Sequence, residues 1–299
     1  MLESFDNLVM MAKKRPRKKL VVAVAEDEET LKAIASAYSD GIIEPILVGN
    51  KKEILKIAKR IQFNLGNITI FDVSNPKHAV EKAIAIIKTG KAEILMKGIV
   101  DTKTLLKGVL DKTQGLALTN KLSGIILAQI PNYHKLLAIT DTGVILKPDI
   151  NELLAIINNA VSFFHRLGIV NPKVALAAPV ETINMQMEST INAALVTMMN
   201  RRSQIKDCLI DGPLALDNII SKEACKHKGI ITEVGGDVDI IVVPDINAGN
   251  ILVKALSYFT NAKLAGLVLG STTPIVVTSR ADNHIAKYLS IVCAKLIKN

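Results

Sequence analysis

The chain predicts an α/β architecture: two α/β domains with a cleft between them. Three observations predict it. Short, uninterrupted apolar runs such as Leu20–Ala25 and Ile240–Val243 have the length of strands and are apolar on both faces, as parallel strands covered on both sides are. Helical patterns fill most of the gaps between these runs. A length of 299 residues fits one large or two medium domains.

The elements follow in order. Leu20–Ala25 is a strand, followed by a helix from Asp27 to Tyr38. Pro45–Val48 is the next strand, then a helix over Lys51–Ile61 and a strand at Ile68–Phe71. The helix Pro76–Lys88 starts with proline in its first turn, where the missing N–H costs nothing. A strand at Ile94–Met96 and a helix over Asp101–Leu110 come next. The rhythm changes at Gly124–Thr140, where Ile125–Ala128 and Leu136–Ile139 flank Pro131–His134 like an antiparallel hairpin. After Gly143 the alternation resumes with a long helix over Asp149–Leu167, ended by Gly168 as a C-cap. Strands at Val174–Ala177, Cys208–Ile210, Ile240–Val243, Leu267–Leu269 and Ile275–Val277 follow, and Asp211-Gly212-Pro213 is a tight turn. A helix over Ile251–Phe259 and a last helix running to Ile297 complete the pattern.

Composition narrows the function. With 49% apolar and 22% charged residues the chain is globular, and no apolar run reaches the ~18 residues of a membrane span. Three scattered cysteines form neither a disulfide framework nor a zinc site and indicate a reducing, cytoplasmic compartment. The net charge of +9 calls for an anionic partner. Aromatic residues are only 3%, too few for the stacking platforms of single-strand nucleic-acid binders. Dinucleotide and Walker-type glycine loops are absent, as are the nucleophile elbow and the zinc-protease motif. A phosphorylated substrate fits best.

Three polar clusters lie where strands end. At Thr278–Asp282 a strand delivers Ser279 to the last helix. Ser279-x-x-Asp282 has the form of an N-cap, while the free N–H groups and Arg280 also suit a phosphate. At Val243–Asn250 the residues Asp245, Asn247 and Asn250 fit a turn with an asparagine cap, and Gly249 would let a backbone come close to a ligand. At Met96–Lys107 three lysines, Lys97, Lys103 and Lys107, gather with Thr102 at a strand-to-helix junction. One lysine is ordinarily solvated surface, but three at such a junction suit phosphate. Among the histidines only His134, in the hairpin, is a candidate.

Together Leu95–Lys107, Tyr133–Asp141, Asp211–Asn218, Val243–Asn250 and Pro274–Asp282 resemble the phosphate acetyl/butyryltransferase family across nearly the whole chain, closer to the butyryltransferase branch. The resemblance implies an isocitrate/isopropylmalate dehydrogenase-like fold without a nicotinamide cofactor. A first, basic domain (1–142 plus 276–299) would carry CoA, and 143–275 would form the second. It implies reversible transfer of a short acyl group, butyryl favoured, between CoA and phosphate, by direct thiolate attack in a ternary complex. No tightly bound cofactor and no metal are implied; CoA is a substrate, and the usual assembly is a homodimer. The family's Ser-Arg pair falls on Ser279, for the oxyanion, and Arg280, for phosphate; the family's acidic position falls on Ala286, and nearby Asp282 is the candidate base. Lys97, Thr102, Lys103, Lys107, Lys135, Asp245, Asn247, Gly249 and Asn250 are the implied substrate contacts, with Lys107 and Lys135 standing where the family has CoA-binding arginines.

Three alternatives stay open. One is acetyl transfer by the same chemistry. Another is a metal- and NAD-dependent hydroxyacid dehydrogenase, which would need clustered aspartates, although Asp237-x-Asp239 stands at the wrong end of a strand. The last is a basic nucleic-acid binder acting through Lys13–Lys19, a run that could equally be a solvated arm. No nucleic-acid or membrane partner is expected.

Overall fold

The computed structural model describes residues 2–118 and 121–297. Two compact units emerge, Phe5–Asn120 with Ala265–Asn299 and Met1–Ser4 with Lys121–Leu264. The divisions therefore fall at about 120 and 265, rather than at the expected 142 and 275. The reason is the hairpin: its second strand bonds to a strand of the 121–264 unit, which draws the whole hairpin and Lys135 with it.

The first unit opens with α1 (Phe5–Lys13), β1 (Lys18–Ala23), α2 (Glu28–Ser39), β2 (Ile43–Gly49), α3 (Lys51–Arg60) and β3 (Thr69–Asp72). It continues through α4 (Pro76–Lys88), β4 (Ile94–Lys97) and α5 (Thr102–Val109). Side chains of Asp27, Asn50, Asn75 and Asp101 accept the first free N–H groups of α2 to α5, which fixes where each helix begins. β1 to β4 are parallel, in the spatial order β3-β2-β1-β4. The chain winds outward from β1 to β3 and then crosses to β4 on the other side. The gap between the carboxyl ends of β1 and β4 is thus a topological switch point, the place where open α/β sheets bind ligands.

The second unit holds β5 (Ser123–Gln129), β6 (Leu137–Thr140), α6 (Ile150–Arg166), β7 (Lys173–Ala177), α7 (Glu188–Arg201) and β8 (Leu209–Leu214). It ends with α8 (Leu216–Ile220), α9 (Lys222–His227), β9 (Ile240–Val242) and α10 (Ile246–Phe259). Its sheet order is β5-β6-β9-β7-β8, with β5 and β6 forming the expected antiparallel hairpin. Asp149 and Glu152 form a reciprocal capping box at the start of α6. Asp211-Gly212-Pro213 is not a turn: it lies inside β8, and Gly212 is there because a side chain would meet Leu176 Cβ at 2.7 Å.

β10 (Lys263–Leu269) and β11 (Ile275–Val276) return the chain to the first unit, where β11 inserts beside β4. The closing helix α11 (His284–Leu296) packs on α1 and α2. The basic run is no solvated arm. Arg15 and Lys18 donate to the carbonyls of Leu296 and Ile297 at 2.7 and 3.0 Å, where a helix end favours positive charge. Lys13 pairs with Asp40, and Arg17 lies over the ring of Tyr38. Net charge is −1 for Met1–Ser4 with Lys121–Leu264 (13 basic, 14 acidic) and +10 for the other unit (24 basic, 14 acidic).

Candidate active site

The switch point of the first unit is built by close backbone contact. Gly98 N–H donates to Ala23 O and Ile99 N–H to Val24 O, both at 2.9 Å, so the ends of β1 and β4 are laced together. Only glycine fits at 98, because a Cβ there would overlap the Val24 carbonyl. Val24 itself sits at φ 61, a left-handed conformation that strains a β-branched residue.

Lys97, the last residue of β4, is 3% exposed, and its Nζ donates to the carbonyls of Gly98 (3.2 Å) and Val100 (3.1 Å). Lys287 of α11, equally buried, donates to Thr278 Oγ1 and to the Ser279 carbonyl. Arg280 is exposed beside them. Burial, then repulsion from Lys287 and Arg280, pulls the Lys97 ammonium down to about 8; Asp27 and Asp101 offset this only in part. Among the described residues no carboxylate lies within ion-pair distance of Lys97, Lys287 or Arg280. Asp27 and Asp101 offset these three cations only in part, and the excess positive charge would favour an anion.

Ser279 and Asp282 belong to a turn ahead of α11 rather than to its first turn. Ser279 N–H donates to Asp282 Oδ2 at 2.8 Å, and Asp282 N–H returns to the Ser279 carbonyl. The helix is capped instead by Asn283, which accepts from Ala286 N–H. The Asp282 carboxylate is therefore engaged in shaping the turn that presents Ser279 and Arg280. Thr102 is the first residue of α5, and Lys103 is exposed on it. Lys107 lines a groove of about 620 Å³ between α4 and α5, with Lys77, Ile84 and Gly108.

The remaining candidates lie in the second unit. Lys135 is 5% exposed and already neutralised: its Nζ sits 3.0 Å from Asp237 and 2.6 Å from Asp239. Lys173 and His134 also reach Asp237, at 2.7 and 2.9 Å. Burial alone would raise the Asp237 carboxyl, but these three partners hold it far below the usual range. Lys135 is thus part of an ion cluster, not an open phosphate contact, and the aspartates that a metal-dependent dehydrogenase would need are occupied. Among the described residues no three His, Cys, Asp or Glu side chains are grouped to hold a metal.

α10 begins five residues before the expected position because Asp245, not Asn250, caps it, accepting from Asn247 and Ala248 N–H. Asn247 and Asn250 are exposed on its first turns. Gly249 serves packing rather than ligand approach: a Cβ would meet the Asp141 carbonyl at 2.8 Å. Beside Asp245, at the carboxyl ends of β7 and β9, lies a cavity of about 300 Å³ walled by Leu153, Leu176, Val242 and Pro244. No motif in the sequence singles out Lys287. Its one signal is register: it shares a face of α11 with Ser290, Ile291 and Ala294, all fully buried.

The family model described as "Phosphate acetyl/butaryl transferase" matches residues 4–85 and 73–294. A phosphate butyryltransferase of Clostridium acetobutylicum is 42% identical over 297 residues, 99% of each chain. A phosphate acetyltransferase of Thermotoga maritima is 38% identical, over 96% of this chain and 97% of the relative. The crystal structure of a branched-chain phosphotransacylase from Enterococcus faecalis superposes with a TM-score of 0.84 at 29% identity, covering 94% of this chain and 99% of that one. With so much of its length matched, the chain belongs to the phosphate acetyl/butyryltransferase family.

Proposed function

We propose that the chain is a phosphate acyltransferase that moves a short acyl group, butyryl by preference, between CoA and inorganic phosphate. The observation that carries the reading is the only partly compensated trio Lys97, Lys287 and Arg280 at the β1/β4 switch point. Arg280 offers a planar fork to the phosphate that enters or leaves, and the Ser279 hydroxyl donates to the oxyanion of the tetrahedral intermediate. The CoA thiolate attacks the acyl-phosphate carbonyl directly, with no acyl-enzyme. Lys103 and Lys107 on α5, with Thr102, take the phosphates of CoA. Asp245, Asn247 and Asn250 are further substrate contacts in this reading. CoA is a substrate and no bound cofactor takes part. We place the working enzyme in the cytoplasm as a homodimer.

Acetyl transfer is the second reading, favoured by the acetyltransferases among the relatives. A thiol-release assay tests both: butyryl-CoA should yield free CoA only when phosphate is supplied. A rate series from acetyl- to valeryl-CoA ranks the chains, and a maximum at acetyl would replace butyryl. Failure to release CoA from any short acyl-CoA with phosphate would remove the transferase reading altogether.

A further inference from the structure

The acyl-transfer reading leaves one proton without a destination. A thiol like that of CoA, with an ordinary pKa near ~8.5, is mostly protonated at neutral pH and must lose its proton before it attacks. Asp282 is engaged by the Ser279 N–H. Position 286, in the first turn of α11, is alanine. One oxygen of Asp282 is thus committed to the turn, and Ala286 has no group that titrates.

The surroundings of Lys97 favour its neutral amine more than those of an ordinary lysine do. A protonated lysine carries three donors and a neutral one carries two donors and a lone pair. The protein supplies two acceptors to Lys97 Nζ, the carbonyls of Gly98 and Val100. They satisfy the two N–H groups of a neutral amine. A third proton would find no acceptor among the described residues. The charged groups facing it are Lys287 from α11, Arg280 from the preceding turn, Asp27 at the end of β1 and Asp101 at the start of α5. The two cations outweigh the two carboxylates.

We propose that Lys97 is the proton acceptor for the CoA thiol. This rests on the acyltransferase reading and adds a catalytic residue to it. The neutral amine takes the S–H proton and becomes an ammonium. The thiolate sulfur then bonds to the acyl carbonyl carbon, the carbon–oxygen bond to phosphate breaks, and the electron pair leaves with phosphate. In the reverse direction phosphate attacks the thioester, the carbon–sulfur bond breaks, and the Lys97 ammonium returns the proton to the sulfur. A base that titrates near 8 is matched to a thiol near ~8.5, so the transfer is close to thermoneutral in both directions.

The two directions must then titrate oppositely. With CoA and butyryl phosphate, kcat should rise with pH through a midpoint at about 8. With butyryl-CoA and phosphate it should fall through the same midpoint. Lys97→Met fills the same volume without a titrating group. It should lower kcat by about 100-fold or more and abolish both limbs, leaving the KM for CoA within a few-fold. Lys97→Arg keeps the charge but cannot give up its proton in this range. It should hold phosphate affinity while losing the limb near 8. A limb that persists in either variant, or a kcat within about threefold of wild type in Lys97→Met, overturns the base role. An inactive wild type with every acyl-CoA would instead overturn the transferase reading, and the base role with it.

Discussion

Two buried lysines, one in each unit, show how the same side chain can be held for opposite ends. Lys97 and Lys135 are almost equally hidden, at 3% and 5% exposure. Lys135 stands just before β6, near the amino end of its strands, and meets two carboxylates. Lys97 ends β4 at the carboxyl side of its sheet and meets two backbone carbonyls and two other cations. A buried cation with its counter-charge built in is closed, and it stabilises the unit that contains it. A buried cation whose neighbours repel it has a cost to the fold that a bound anion would offset. Ligand sites are expected where that cost is left standing.

Four experiments bear on this contrast, from the largest effect down. Arg280→Gln should reduce kcat/KM for phosphate by about 100-fold, mostly through KM, because the charged fork is lost. A drop confined to CoA would move the phosphate elsewhere.

The second experiment compares methionine at both lysines by urea unfolding. Lys135→Met leaves Asp237 and Asp239 short of a partner. It should cost about 2–3 kcal/mol, below the usual figure for a fully buried pair because both carboxylates keep some contact with water. Lys97→Met should do the opposite at pH 7, stabilising by roughly 1–3 kcal/mol while activity is lost. The sign follows from linkage. The folded pKa of about 8 lies below the unfolded ~10.4, so the folded state carries the penalty below 8 and sheds it as pH rises toward 10.4. Wild type should therefore gain on Lys97→Met between those values, and equal pH profiles would break the comparison.

The third concerns the N-terminal ends of α2 and α11. Burial works to raise the Glu29 carboxyl, yet Lys32 and the backbone and ring of His284 together push it down to about 2. Its contribution is full above the ordinary value of 4.5 and disappears as pH falls toward 2. The urea midpoint should drop across that window, and Glu29→Gln should flatten the drop. The smallest effect is expected at Asp282→Asn. Asparagine still accepts the Ser279 N–H, so kcat should stay within about threefold and the pH profile should not move. A lost limb there would return the base to Asp282.

Much of this architecture is legible in the sequence because local signals agree. Asp27, Asn75 and Asp149 stand immediately before amphipathic runs, and each caps the helix it precedes. Signals of the same type misled at Ser279 and Asn250, where more than one residue could cap. The choice fell to Asn283 and Asp245 through tertiary placement that no local pattern records. The fate of a lysine is less legible still. Lys135 looks like Lys97 in sequence until Asp237 and Asp239, about a hundred residues away, are seen beside it. The placement of Lys97, Ser279 and Arg280 at strand ends was legible because strand ends can be found from apolar runs. Lys287 was not, because the interior face of α11 had to be known first.

The insertion of β11 between β4 and β10 has a consequence in time. Every strand of the first unit up to β4 leaves the ribosome early, but the strand that covers the open edge of β4 is encoded only after the second unit. Translation of Lys121–Leu264 takes roughly 7–30 s at ~5–20 residues per second. For that interval the backbone groups of β4 that later meet β11 have no partner within their own unit, and Lys97 waits at the end of that strand without Arg280 or Lys287. A nascent chain stalled before Ala265 would display an unpaired edge, a target for chaperones or for a second copy of itself. Synthesis of β11 and α11 would thus complete the sheet and bring Arg280 and Lys287 to Lys97 in one step.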